Sequence, residues 1–172
     1  MLILRKFNYA VAIAATLIFG NGAFAQDTAE AKSYDSGFRL GFGANVGLPT
    51  NSDDYQYALG ADVRLQYDMS LKTSLTLTTG YTNLFQRGSN NDLGFIPAKV
   101  GFKAFVIGDS FYVLGEVGGA FSTSNAGQST SFLYAPGLGY ANKFIDISVR
   151  YEDYTDFDTN QVALRLAYGF KL

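Results

Sequence analysis

Apolar and polar residues alternate along the last eleven residues of the chain, from Val162 to Leu172. The even-numbered positions are all apolar, whereas the odd-numbered positions are small or basic and include Arg165 and Lys171. Successive side chains of a β-strand point to opposite sides of the sheet, so a period of two predicts a strand with one apolar face. Seven earlier segments repeat the pattern, at residues 37–48, 55–67, 74–84, 95–105, 111–121, 131–140 and 144–152.

The segments between the predicted strands alternate in length. Four are polar and six to nine residues long, at residues 49–54, 86–92, 122–130 and 153–159, and the other three are shorter. Long loops at one end and tight turns at the other are typical of bacterial membrane barrels, whose long loops lie outside the cell. We therefore expect an antiparallel up-and-down barrel with four short surface loops and both chain ends on the turn side.

The composition of the polar face distinguishes a membrane barrel from a soluble barrel with an apolar interior. A water-exposed face is rich in long charged side chains, but this face consists mostly of Gly, Ala, Ser and Thr. Its ten charged residues are Arg39, Asp62, Arg64, Lys99, Lys103, Glu116, Asp146, Arg150, Glu152 and Arg165. The apolar face of the predicted strands carries no charge. These features predict an all-β, eight-stranded transmembrane β-barrel with a polar lumen.

Aromatic residues lie near the ends of the predicted apolar faces. In membrane proteins such residues form girdles at the level of the lipid headgroups. The set comprises Tyr55, Tyr67, Phe121, Phe132, Tyr140, Tyr151 and Phe170. Taken together, these residues favour a membrane location.

The charges on the polar face predict a structural network inside the barrel. Eight strands enclose a space just wide enough for side chains to fill, and buried charges need ion-pair and hydrogen-bond partners. We expect Arg64, Arg150 and Arg165 each to contact one of the four acids on this face. A narrow pore for small solutes or ions is an alternative, and a soluble periplasmic lipid-binding barrel is a second alternative.

The first 25 residues have the pattern of a secretory signal peptide. Arg5 and Lys6 precede an apolar run, and Ala23-Phe24-Ala25 is a cleavage signal. The run is shorter than the roughly 20 residues that a membrane-spanning helix needs. The expected organisation is a cleaved signal peptide at 1–25, a short periplasmic segment at 26–36 and the barrel at 37–172.

Charge and composition exclude several classes of function. Of the 13 basic residues, two belong to the predicted signal peptide, which leaves 11 against 15 acidic residues. This balance lacks the basic excess that nucleic-acid binding requires. Histidine and cysteine are absent, which excludes Ser-His-acid triads, cysteine nucleophiles and zinc sites built from these residues. We expect a protein that is not an enzyme and has no cofactor.

The acidic stretch from Asp156 to Asn160 has the spacing with which a calcium-binding loop begins. The glycine that such a loop requires is replaced by Gln161, and its closing glutamate is replaced by Ala167. We therefore expect a solvated acidic loop and no metal site. Loose contact with divalent ions among lipopolysaccharide phosphates remains a residual hypothesis.

Three segments carry a resemblance to a known family: Gly115–Gly119, Ala135–Tyr140 and Tyr168–Leu172. They are similar to the small outer-membrane β-barrels of Gram-negative bacteria, of the OmpA, OmpX and opacity-protein type. The resemblance covers essentially all of residues 37–172. It implies contact with outer-membrane lipid and lipopolysaccharide.

The same resemblance implies insertion by the barrel assembly machinery, which recognises an aromatic-ended final strand. In this chain the signal corresponds to Tyr168, Phe170 and Leu172, a variant form because the last residue is leucine. Members of the family differ widely in activity. We therefore expect a structural or surface-interaction role, an unidentified partner for the loops, and a monomer.

Overall fold

Eight β-strands make up almost all of the chain that the structure describes. The computed structural model describes residues 36–50, 55–88, 92–123 and 129–172. The strands are β1 (Phe38–Pro49), β2 (Tyr55–Asp68), β3 (Thr73–Gln86), β4 (Leu93–Ile107), β5 (Phe111–Ser122), β6 (Thr130–Ala141), β7 (Ile145–Tyr154) and β8 (Thr159–Lys171). A short 3-10 helix, Thr155–Phe157, lies between β7 and β8.

Some sequence predictions fall outside the described residues. These are the signal peptide at 1–25, nearly all of the segment at 26–36, and parts of the first three predicted surface loops. Among the described residues, no helix is long and apolar enough to cross a membrane.

The strands form one closed antiparallel barrel. Each strand pairs with its neighbours in sequence, and β8 pairs with β1. A closed sheet leaves no edge strand with unpaired backbone groups. The predicted all-β, eight-stranded up-and-down barrel is confirmed, and the strand bounds differ from those predicted by at most three residues. We call the two ends of the barrel the loop end and the turn end, after the long and short connections.

Side chains alternate between the inside and the outside of the barrel. In β8 the side chains of Ala163 and Arg165 are buried, whereas Leu164 and Leu166 are exposed. The same alternation holds in β5, where Leu114 is an apolar residue on the otherwise mostly polar inner face. Leu114 is indeed buried on that face, where it belongs to a small apolar cluster with Tyr112.

Two prolines interrupt the pairing of neighbouring strands. Strands β6 and β7 are not paired at Ala135 and Pro136, although the register is the same on both sides of the gap. Strands β3 and β4 show a similar gap at Ile96 and Pro97. Proline has no backbone N–H to donate to the ladder. Each proline therefore coincides with a local weakness in the ladder of hydrogen bonds.

The outer face differs from the predicted one at two residues: Tyr55 is absent from it, and Asp153 is added to it. Tyr55 was assigned to this face, which was wrong: a register shift between Tyr55 and Tyr57 reorients the start of β2, and Tyr55 packs against interior residues. Strand β7 also extends two residues beyond its predicted end. This extension places Asp153 at an outward position near the loop end, where Tyr151 Oη donates a hydrogen bond of 3.5 Å to it.

Candidate functional site

Glu116 on β5 lies at the centre of a buried charge cluster in the barrel interior. Its Oε1 accepts hydrogen bonds from Arg64 Nη2 at 2.8 Å and Thr78 Oγ1 at 3.0 Å. Its Oε2 accepts a hydrogen bond from Arg150 Nη1 at 3.2 Å and lies 3.4 Å from Lys99 Nζ. Three cations therefore surround one carboxylate.

Glu152 on β7 shares two of these cations. Its Oε1 lies 3.0 Å from Lys99 Nζ and 3.3 Å from Arg150 Nη2. Its Oε2 accepts hydrogen bonds of 2.7 Å from Tyr154 Oη and from Gln161 Nε2. Both oxygens of this buried carboxylate are thus occupied, as a buried charge requires.

Asp62 on β2 and Arg165 on β8 form a second ion pair in the interior. Arg165 Nη2 donates to Asp62 Oδ1 at 2.6 Å, and Arg165 Nε donates to Oδ2 at 2.9 Å. Asn45 Nδ2 donates to the same Oδ2 at 2.8 Å. The geometry is bidentate, which is the strongest arrangement for an arginine and a carboxylate.

Asp146 on β7 forms a third ion pair with Lys103 on β4, at 2.7 Å between Nζ and Oδ2. Tyr112 Oη donates to Oδ1 of the same carboxylate at 2.5 Å. The Lys103 ammonium also lies 3.8 Å from the centroid of the Tyr112 ring, close enough for a cation–π contact.

The remaining predicted charge, Arg39, lies apart from the others at the mouth of the turn end. Arg39 Nε donates to Asp68 Oδ2 at 2.8 Å, and the arginine side chain is 37% exposed. Asp68 Oδ1 accepts hydrogen bonds from Gln66 Nε2 and Ser74 Oγ. Asp68 ends β2 one residue beyond the predicted strand, and this explains its absence from the sequence-based set.

All ten predicted lumen residues thus take part in ion pairs, and Arg64, Arg150 and Arg165 each contact an acid of that set. The neutral hydrogen-bond partners of these charges were not among the predicted lumen residues. Those partners are Asn45, Thr78, Tyr112, Tyr154 and Gln161. Asn45, Thr78 and Tyr112 occupy inward positions of predicted strands, so the period-two pattern could have identified them as candidates. Tyr154 and Gln161 lie beyond the predicted ends of β7 and β8.

The interior is apolar at the loop end. Phe95 and Tyr154 pack edge to face with their ring centroids 4.8 Å apart. The buried members of this loop-end cluster are Ala58, Leu84, Leu93, Phe95, Ala120, Leu133 and Tyr154. The partly buried side chains of Tyr55 and Phe157 pack against it. A polar lumen was predicted, and the interior departs from that prediction at this apolar cluster.

The interior is open at the turn end. A cavity of about 480 Å³ lies there, lined by residues of the short turns and by Arg39, Arg64, Lys103 and Arg165. Between the charge cluster and the loop-end cluster, by contrast, a second cavity measures only about 10 Å³. That volume is at the lower limit of what a single water molecule requires. Side chains therefore fill this part of the lumen, next to the loop end.

The residues of the predicted assembly signal lie on the outside of β8 and at its end. Tyr168, Phe170 and Leu172 are 55%, 38% and 68% exposed. The ring of Tyr168 stacks on that of Phe144, in the turn between β6 and β7, with centroids 5.9 Å apart. The backbone N–H of Leu172 donates to Phe38 O, which joins the end of the chain to β1.

The last surface loop is joined to β6 by two hydrogen bonds between backbone N–H groups and side-chain oxygens. Asp156 Oδ2 accepts a hydrogen bond from the Phe132 backbone N–H at 2.8 Å, and the Asp156 N–H donates to Ser131 Oγ. Within the described ranges, no group of three or more acidic residues is arranged to hold a metal ion. Asp156 thus serves to connect the 3-10 helix to β6.

The sequence matches no protein-family profile and no curated protein sequence. Its structure, however, is similar to those of small membrane barrels. Neisserial surface protein A shares 16% identity, with a TM-score of 0.55 over 80% of this chain and 98% of that protein. The N-terminal β-barrel domain of Pseudomonas aeruginosa OprF shares 12% identity, with a TM-score of 0.54 over 78% of this chain and 99% of that domain.

A de novo designed transmembrane β-barrel is also similar, with 18% identity and a TM-score of 0.52 over 76% of this chain and 94% of the design. At these identities the similarity concerns the fold alone. The chain therefore has the fold of a small outer-membrane β-barrel. Because a designed protein shares this fold, the fold by itself assigns no activity.

Proposed function

We propose that this chain is an integral outer-membrane protein with a non-enzymatic structural or surface-interaction role, which presents four short loops outside the cell. The observation that carries the proposal is the apolar outer surface of the barrel. Val100, Leu138 and Leu166 are among its members, at 56%, 64% and 56% exposure. Monomeric soluble proteins rarely expose a contiguous apolar surface of such extent, but a bilayer solvates it.

Aromatic pairs at both ends of the outer surface support this placement. At the turn end, the rings of Phe38 and Tyr67 lie 4.9 Å apart between centroids. At the loop end, the rings of Tyr57 and Phe85 lie 4.7 Å apart. Aromatic residues at two levels are expected where a barrel crosses the two interfaces of a bilayer.

The distribution of polarity argues against a soluble lipid-binding barrel. Such a protein needs an apolar interior for its ligand and a charged exterior for water. In this barrel the middle of the interior carries the buried charges, including Glu116 and Arg150, and the outer surface is apolar. A lipid tail in the lumen would have to displace ion pairs, which is energetically unfavourable.

The alternative of a narrow pore is disfavoured by the loop-end cluster. Phe95 and Leu133 are fully buried within it, and ions cross an apolar constriction only when water fills it. We expect no single-channel current from the protein in planar bilayers. Stable ohmic steps that persist after removal of contaminating porins would instead establish a transport function.

The first experiment is a comparison of unboiled and boiled protein from the membrane fraction by SDS gel electrophoresis. A folded membrane barrel resists SDS, so we expect a shift in mobility on boiling. N-terminal sequencing of the same band tests cleavage after residue 25. Recovery of the protein in the soluble periplasmic fraction, with no shift, would contradict the membrane placement.

The proposed assembly signal is tested by exchange of a single residue. Phe170→Ala removes the last aromatic group of the exposed set, and we expect less heat-modifiable protein in the outer membrane. Phe111→Ala is the matched control, because Phe111 is also exposed at the turn end but begins β5 and contacts no residue of the signal. Equal yields from the two variants would contradict recognition of the final strand.

The membrane partners follow from the same proposal. Outer-membrane lipid and lipopolysaccharide surround the barrel, and the barrel assembly machinery acts during biogenesis. The closed sheet has no edge strand that requires a second chain, so we expect a monomer by light scattering in detergent.

A further inference from the structure

The cavity at the turn end is a pocket that is closed at its inner end. It has a volume of about 480 Å³, within the range of small-molecule binding sites. Beyond its floor lie the Glu116 cluster and then the loop-end cluster, with only about 10 Å³ of free space between them. In the described part of the chain, the vestibule therefore opens at the turn end and is closed towards the loop end.

Positive charge predominates in the lining of the vestibule. The five cationic residues that line it are Arg39, Arg64, Lys103, Lys143 and Arg165. Three acids oppose them: Asp68, Asp109 and Asp146. Two of these acids already have cationic partners, since Asp68 binds Arg39 and Asp146 binds Lys103.

Arg64 has hydrogen-bonding capacity that the described part of the chain does not use. Its Nε donates to Thr78 and its Nη2 donates to Glu116, but its Nη1 has no hydrogen-bond partner there. The residue is only 3% exposed. A buried guanidinium with an unsatisfied N–H is unfavourable, and an anionic oxygen is its best acceptor.

The balance of charge in the barrel interior also favours a bound anion. The ten predicted lumen charges together with Asp68 comprise six basic and five acidic groups. One positive charge therefore lacks an acidic counterpart within this set. Lys99 and Arg150 already face two carboxylates, Glu116 and Glu152, whereas Arg64 contacts Glu116 alone.

We propose that the vestibule is a binding site for a small oxyanion, a molecule that carries a phosphate or carboxylate group, which Arg64, Lys103 and Arg165 attract. The volume admits a small metabolite rather than a polymer. The ligand enters at the turn end, where β1 begins and β8 ends, opposite the surface loops. This site is independent of any contact that the loops make.

The proposal is tested by nuclear magnetic resonance on the isotope-labelled protein in detergent micelles. Inorganic phosphate and succinate are the probes, and sodium chloride at equal ionic strength is the reference. We expect saturable shifts of the backbone amides of Ser110, Asn142 and Gly169, which line the vestibule. The amide of Arg87, in the loop-end connection between β3 and β4, should not respond.

Two variants with the same change of charge localise the site. Arg64→Gln removes the unsatisfied donor, and we expect binding to weaken by about tenfold, the effect of one charge-assisted hydrogen bond. Lys72→Gln removes an exposed cation at the same end that does not line the cavity, and binding should persist. If Arg64→Gln fails to fold, Arg39→Gln at the mouth replaces it and should weaken binding to a smaller extent.

Three results would overturn the proposal. The first is the absence of saturable shifts at the vestibule of the wild-type protein with both probes, as expected if only water occupies it. The second is equal weakening by Lys72→Gln and Arg64→Gln. The third is an equal response of Arg87 and the vestibule amides, because general screening acts on all exposed charges.

Discussion

Arg165 on β8 and Asp62 on β2 form their bidentate ion pair across Gly43, which lies on β1 between them. Gly43 is the partner of Asp62 in one ladder and of Ala167 in the other. A methyl group at Gly43 would lie 2.8 Å from Arg165 Nε. Because Gly43 has no side chain, the charged groups of two non-adjacent strands can meet above it.

Gly43→Ala should lower the free energy of unfolding by about 1–3 kcal/mol, because the added methyl group displaces the guanidinium from its partner. Gly115→Ala is the matched control, since a methyl group there meets no atom within 4 Å, and its effect should stay within about 0.5 kcal/mol. The measurement is denaturant unfolding in lipid vesicles. Far-UV circular dichroism is the readout because the chain has no tryptophan. Equal stability of the two variants would disprove the steric role of Gly43.

Glu116→Gln should destabilise the barrel by about 3–5 kcal/mol, because it leaves buried cations without their shared counterion. Asp109→Asn removes an acid from an exposed turn and should change stability by less than about 0.5 kcal/mol. Folded fractions from unboiled gels across a urea series measure both. A stable Glu116→Gln protein would mean that the network does not hold the barrel together.

Phe95→Ala should cost about 3–5 kcal/mol, because Phe95 is fully buried and its loss leaves a cavity in the loop-end cluster. Phe132→Ala removes a ring that is 50% exposed on the outer surface of β6. Lipid can fill the space that this ring leaves, so a loss of only about 1–2 kcal/mol is expected. Unfolding midpoints in the same vesicles compare the two. A larger loss at Phe132 than at Phe95 would contradict the packed interior.

Val100→Arg should destabilise the protein in bilayers by about 2–4 kcal/mol, the cost of an arginine at the membrane midplane. Val100 is the eighth of the fifteen residues of β4 and is 56% exposed. Leu48→Arg introduces the same group near the loop end of β1, where the cost falls to about 0–1 kcal/mol. Equal costs at both positions would place the membrane boundary elsewhere on the barrel.

Much of the fold could be predicted because strand patterning is local. The alternation in β8, from Val162 onward, assigns each side chain to a face without any knowledge of its neighbours. Errors arose where this local rule was interrupted. The irregularity at the start of β2 turned Tyr55 inward, and the extension of β7 placed Asp153 outside. Neither feature has a signal in the period-two pattern.

The sequence by itself determined the number of strands, the face on which most strand residues lie and ten of the eleven charges in the interior network, because these depend on the alternation within single strands. Only the tertiary structure decided which charges meet, because Arg165 and Asp62 are 103 residues apart in sequence and are joined through barrel closure and strand stagger. It also decided the height of each inward residue along the barrel. For this reason Phe95 contributes to an apolar cluster at the loop end, whereas Lys103 on the same face of β4 lines an open vestibule at the turn end.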